Sequence, residues 1–399
     1  MSYYIGLCGT IGSGCSYVSS IIKKEKNFKR VSLSELLRDL YKQKSKTDVE
    51  PNRSQLQDFG NILRQKKPSF LAEEALKHIK KVDKKSEYNW VIDSIRNPFE
   101  VQFFRKNLVN FYLVGVYADV DIRWQRVENK YSKDRTAFQR DQERDQVEDI
   151  PYGQRTRDCF LKSDIILNNN RYIPDDEDKK NEDFFKTKIH NYINLVTSDS
   201  RLISPTEMET HMALTYAISQ KSKCLKRKVG AILVEGELGN VVCAGFNEVP
   251  YSSDPCIEKH NRCYRDKLKE DIEASSDIED VTIRRNEYRK IWNEIKLLDY
   301  CRSLHAEENA ILALSKLGSN VNFHNTIMYI TAFPCNLCSK KIAQLGIRKI
   351  IYFEPYPMKE AVVILNEHGV VQEPFEGVTF RSYFRIYERE VENENLSKM

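Results

Sequence analysis

Two short segments far apart in the chain carry four side chains whose chemistry fits together. SLHAEENAIL contains His305 and Glu307, and FPCNLCSKKIAQLGI contains Cys335 and Cys338. One imidazole and two thiolates suit a catalytic zinc ion, which takes three protein ligands and leaves a fourth position open to water. His305, Cys335 and Cys338 are the three candidate ligands. Glu307 as a fourth ligand would close that position, so its expected role is catalytic: a proton shuttle that takes a proton from the attacking water and returns it to the leaving group. A structural zinc site is closed by four ligands and has no use for such a carboxylate. Both motifs precede apolar-periodic stretches, which predicts each at the N-terminus of a helix, where backbone N–H groups and the macrodipole favour a thiolate. The spacing of Cys335 and Cys338 puts both sulfurs on one face of a first helical turn. Pro334 suits a helix start because its missing N–H costs nothing there.

At 399 residues the chain exceeds a single core and predicts two domains. Apolar residues at 41% and charged residues at 30% describe a globular chain rather than a disordered one. The 63 basic residues exceed the 58 acidic ones by a net charge of only +5. That small surplus disfavours a polynucleotide partner, which would need a broad basic and aromatic face. The start MSYYIGLCGT lacks a basic region leading into an apolar one, and no window of about 18 apolar residues occurs. A cytoplasmic location without membrane contact is therefore expected. Ten cysteines in such a chain are read as reduced thiols or metal ligands.

The first half alternates strand and helix, which predicts an α/β fold with a parallel sheet. Apolar runs Tyr3 to Cys8, Trp90 to Ile92, Phe111 to Val116 and Asp164 to Leu167 are its expected strands. The expected domains are 1–172 and 205–399, joined by a charged linker over 173–204 in which His190 to Val196 could be a short packing helix. A charged insertion over about 252–299, helical after Val281, reads as a surface excursion. Within it Cys256, His260 and Cys263 could hold a second zinc if another ligand joins.

The composite H-x-E and P-C-x-x-C pattern resembles the zinc-dependent deaminases. With the flanks SKCLKRKVGAILV and GFNEVP, the resemblance narrows to the deoxycytidylate deaminase branch of the cytidine deaminase superfamily. It implies an α/β/α domain with a mixed sheet. It also implies Asn247 at the substrate sugar and Lys226 and Arg227 at its phosphate, a solvated basic turn being the alternative for those two.

Gly9 to Ser16 reads GTIGSGCS, a P-loop complete except for its lysine, which is Cys15. The residues Gly9, Thr10, Ile11, Gly12, Ser13, Gly14, Cys15 and Ser16 can still offer backbone N–H groups to phosphate. Asp93 at a strand end resembles the acidic residue that pairs with magnesium beside such a loop. DIRWQRVENK, with Arg123 and Arg126, and YGQRTRDCFLKSDIILNN are similar to segments of nucleoside monophosphate kinases. Without the lysine, phosphoryl transfer loses its main charge clamp, so the expectation is a domain that binds a nucleotide, with magnesium, without transferring phosphate. A purely structural relic is the alternative.

A lysine-deficient kinase-like half joined to a deoxycytidylate deaminase-like half resembles the anti-phage dCTP deaminases. The resemblance implies a homo-oligomer that converts dCTP, dCMP or both to uracil nucleotides under control of a nucleotide at the first domain, depleting dCTP during infection. A housekeeping deaminase that supplies dUMP for thymidylate synthesis is the rival.

Overall fold

The computed structural model describes residues 2–25, 27–46, 49–148, 150, 152–170, 179–197, 203–236, 239–274, 300–317, 321–355 and 358–388. The chain forms two compact units, Met1–Glu209 with Glu376–Met399, and Thr210–Phe375.

The first unit is built on five parallel strands, β1 (Tyr4–Cys8), β2 (Phe28–Ser32), β3 (Asn89–Asp93), β4 (Phe111–Tyr117) and β5 (Ile165–Asn168), ordered β5-β4-β1-β3-β2. β1 is central, with Ile5 paired to Val91 on one side and to Tyr112 on the other. β4 is buried along nearly its whole length because helices cover both faces of a parallel sheet. The expected strands are all present, and β2 is an addition. Its sequence FKRVS carries two cations, which an edge strand can hold at the surface.

The second unit is a mixed sheet of β6 (Gly230–Glu235), β7 (Asn240–Phe246), β8 (Thr326–Ala332), β9 (Lys349–Glu354) and β10 (Val371–Pro374), ordered β10-β9-β8-β6-β7. β8, β9 and β10 run parallel, while β6 pairs antiparallel with both β8 and β7. Ala231, Leu233, Met328, Ile330 and Ile350 meet Ala306, Ala310 and Ile342 in its core. A Cβ on Gly245 would lie 2.3 Å from the Ala306 carbonyl oxygen, so only glycine lets β7 lie this close to the helix Ala306–Leu317.

Two boundaries differ from expectation. Lys179–Thr197 is a helix that includes the packing helix expected over His190 to Val196 and starts well before it, and its Phe185, Ile189, Ile193 and Val196 pack in the core of the first unit. Its apolar residues recur at helical spacing and are buried, whereas the sequence around them is dominated by charge. The tail also leaves the expected 205–399 domain: β11 (Gly377–Val378) pairs antiparallel with β5, and Ile386 joins the first unit's core. Of the insertion, helices Cys256–His260 and Tyr264–Ala274 are described, and residues 251–271 are exposed or half-buried. The helix expected after Val281 lies outside the described residues. No helix among the described residues is long and apolar enough to cross a membrane.

Candidate active site and P-loop

His305 and Cys335 each stand immediately before a helix, Ala306–Leu317 and Asn336–Leu345 respectively. The His305 N–H donates to the Glu308 carboxylate at 2.9 Å, so the third residue of the helix caps its start. Cys338 falls in the first turn of the second helix. Pro334 lies two residues before that helix, ahead of the cap, rather than at its first position. The Leu304 N–H donates to the Glu248 carbonyl at 2.9 Å, which ties the His305 segment to the loop after β7.

His305 Nδ1 lies 3.3 Å from Cys335 Sγ and 3.4 Å from Cys338 Sγ. Tetrahedral zinc with bonds of roughly 2.3 Å to sulfur and 2.0 Å to nitrogen implies N···S separations of about 3.5 Å, so the donor set fits zinc in both chemistry and spacing. Among the described residues this is the one group of His, Cys, Asp or Glu gathered closely enough to hold a metal. Cys256, His260 and Cys263 are not gathered in that way.

Hydrogen bonding from the Cys338 thiol holds Cys335 down to about 4, and the same bond pushes Cys338 well above the usual thiol range. The hydrogen bond to Cys335 raises His305. Glu307, only 4% exposed, is pushed up to about 7 by burial. Lys341, one turn after Cys338, pairs with Glu308 and so straps the two motif helices together. Sequence reading missed Glu308 and Lys341; the spacing of His305 and Glu308 at the two ends of a capping pattern could have found the first.

Asn247 is 8% exposed, its Oδ1 accepting the Val229 N–H at 2.7 Å and its Nδ2 donating to the Arg227 carbonyl at 2.9 Å. It therefore braces the turn that carries Lys226 and Arg227. Those two are half-exposed and face carboxylates, Lys226 with Asp266 at 2.6 Å and Arg227 with Glu354.

In the first unit Gly9 to Ser16 connects β1 to the helix Cys15–Ile22, with Gly12 at φ +80° and Gly14 at φ +104°. Both lie in the left-handed region that glycine adopts without strain. Cys15 is buried, and burial keeps its thiol protonated, so the lysine position carries no charge. Asp93 is buried and accepts from Arg30 Nη2 at 3.0 Å. Arg123 and Arg126 donate to the loop's own carbonyls: Arg123 Nη1 to Ile11 at 3.1 Å and Arg126 Nη1 to Gly12 at 3.1 Å. A separate cavity of about 170 Å³ in this unit is lined by Ser34, Arg53, Gln57, Arg64, Arg96 and Gln154. Among the described residues, Arg64 Nη1 and Gln57 Oε1 are buried there without hydrogen-bond partners.

Residues 205–354 match the family described as the cytidine and deoxycytidylate deaminase zinc-binding region, and residues 5–151 match the AAA domain family. The deoxycytidylate deaminase of Enterobacteria phage T4 is 31% identical over 156 residues, which span 37% of this chain and 77% of that protein. The chain belongs to the deoxycytidylate deaminase family. It is a deaminase domain fused to an AAA, kinase-like domain. The Schizosaccharomyces pombe deoxycytidylate deaminase is 27% identical over 292 residues, spanning 71% of this chain and 75% of that one, so the likeness extends into the first unit. A crystal structure of dCMP deaminase from the cyanophage S-TIM5 in complex with dCMP and dUMP is 26% identical with a TM-score of 0.30, covering 43% of this chain and 98% of that one.

Proposed function

We propose that this protein hydrolyses the exocyclic amine of deoxycytidine nucleotides, converting them to deoxyuridine nucleotides and ammonia. One observation carries the reading: a buried carboxylate, Glu307, stands two residues from His305, one of three gathered donors, and three donors leave zinc a fourth position for water. His305, Cys335 and Cys338 would hold zinc, which supplies Lewis-acid activation of water when bound. Glu307 takes one proton from the attacking water and delivers it to the ring nitrogen as the C–O bond forms, then carries the second proton of that water to the exocyclic amine as the C–N bond breaks and ammonia leaves. The Asn247 brace orders the Arg227 to Val229 turn toward the nucleotide's sugar and phosphate.

The substrate separates two physiologies. Turnover of dCTP would deplete that pool during phage infection, in line with the kinase-like fusion. Turnover of dCMP would supply dUMP, in line with the names of the relatives. Purified zinc-loaded protein offered dCMP, dCTP, CTP and single-stranded DNA is expected to release uracil product from the deoxynucleotides and none from DNA. Product from neither dCMP nor dCTP would sink the reading.

The first unit is read as a nucleotide-binding regulator. Its P-loop keeps the backbone cradle while a neutral thiol replaces the phosphate clamp, and the arginine-lined cavity offers further donors to an anion. A Cβ on Gly14 would lie 2.4 Å from Asn169 Nδ2 in a backbone setting that side chains rarely adopt. Gly14→Ala is therefore expected to weaken nucleotide binding by about fivefold or more, from strain of roughly 1–3 kcal/mol, measured by calorimetry. Unchanged affinity would place the nucleotide elsewhere.

A further inference from the structure

The end of β5 joins the P-loop to the place where the chain returns from the second unit. Asn169 is buried, and its Nδ2 donates to the Ser13 carbonyl at 2.8 Å. Arg126 adds bonds from its guanidinium to the carbonyls of Gly12, Ser13 and Asn169. One residue earlier, the Asn168 N–H donates to Glu376 Oε1 at 2.9 Å. Lys188 Nζ donates to Glu376 Oε2 at 2.8 Å and lies 3.5 Å from the Asn168 carbonyl. Glu376 is the first residue after the second unit ends at Phe375.

The outgoing crossing is fastened in the same region. Glu209 is the last residue before the second unit and is 2% exposed. Its carboxylate accepts the Val378 N–H at 2.6 Å, the Tyr387 hydroxyl at 2.9 Å and the Thr206 N–H at 2.7 Å. Lys188 and Glu376 are both about one-fifth exposed, so their charge pair is partly shielded from solvent screening.

We infer that Glu376 is a positioning residue through which the P-loop controls the deaminase unit. Asn169 cannot follow a shift of the Gly12 to Gly14 backbone without moving Asn168, and Asn168 anchors the residue from which the chain leaves Phe375. A ligand that prefers one setting of the loop biases the setting of Glu376 by at most that difference in binding free energy. The inference rests on the reading of Gly9 to Ser16 as a nucleotide site.

The test uses the full-length zinc-loaded chain with ATP, GTP and dTTP in turn as probes, each with magnesium. Calorimetry reports binding, assigned to the P-loop by its loss in Gly14→Ala, and dUMP release from dCMP reports the deaminase. At least one probe is expected to bind the unaltered chain and change dCMP turnover by about fivefold or more, a common size for coupling between sites. Glu376→Ala should bind that probe within about twofold of the unaltered chain and keep its basal turnover, while its response falls below about twofold. Should Glu376→Ala fail to fold, Glu376→Gln carries the test. It keeps an oxygen for the Asn168 N–H, drops the charge facing Lys188, and is expected to lose at least about half of the response. An undiminished response in the folded variant overturns the role of Glu376 alone. Binding without a response in the unaltered chain overturns that role and leaves the nucleotide site standing, whereas no P-loop binding overturns the role and the P-loop reading together.

Discussion

Glu307→Gln is expected to lower deamination by about 10²–10⁴-fold, the usual contribution of a positioned general acid and base, while the protein keeps one zinc ion per chain. The substitution conserves size and leaves His305, Cys335 and Cys338 in place, since Glu307 is not among the clustered donors. His305→Ala is the informative contrast. It removes a ligand, so metal content and turnover should fall together. Zinc by mass spectrometry and dUMP release from dCMP, measured on the same preparation, separate the two effects. A Glu307→Gln enzyme within about tenfold of the parent would assign the proton transfers to another group. Glu307 is 4% exposed, so no bulk water stands ready to replace it.

The gathering of His305, Cys335 and Cys338 was legible because each of the two segments that carry them is short and chemically unusual. Two helix starts, each marked by ligands just before an apolar-periodic run, lie where that pattern puts them. Strands β1, β3 and β4 were legible for a related reason: central strands are dense apolar runs. What escaped depends on contacts between distant residues. β2 shows FKRVS, whose cations mask a strand that only its partner β3 defines. β11 has two residues and becomes a strand by pairing Gly377 with Ile166. No local pattern reports that the tail turns back to the first unit. The P-loop reading is divided in the same way. The glycine positions follow from the motif, but the Arg30 guanidinium on Asp93 and the Arg126 guanidinium on the loop carbonyls come from tertiary placement. Lys226 and Arg227 show the limit of a basic dipeptide, because each faces a carboxylate that spacing cannot reveal.

Glu100→Ala is expected to destabilise the first unit by about 3–5 kcal/mol, as removal of one partner from a buried ion pair does. Arg64 and Glu100 are 2% and 0% exposed, with Nε and Oε1 2.9 Å apart. The other carboxylate oxygen accepts the backbone N–H groups of Arg96 at 3.0 Å and Asn97 at 3.2 Å, at the start of the helix Pro98–Asn107. Alanine would therefore leave a buried guanidinium unpaired and two helix-start donors unsatisfied. At roughly 2–4 °C per kcal/mol for a unit of this size, the melting transition should fall by on the order of 10 °C. Replacing both partners with leucine should cost far less, because an apolar pair leaves no buried charge uncompensated. Thermal unfolding followed by circular dichroism compares the three proteins. A loss below about 1 kcal/mol in Glu100→Ala would mean that water enters to solvate Arg64, as it does for exposed pairs. Arg64 also lines the arginine-rich cavity, where its Nη1 has no hydrogen-bond partner among the described residues. An anion bound there would supply the missing charge, so phosphate should raise the melting temperature of Glu100→Ala more than that of the parent.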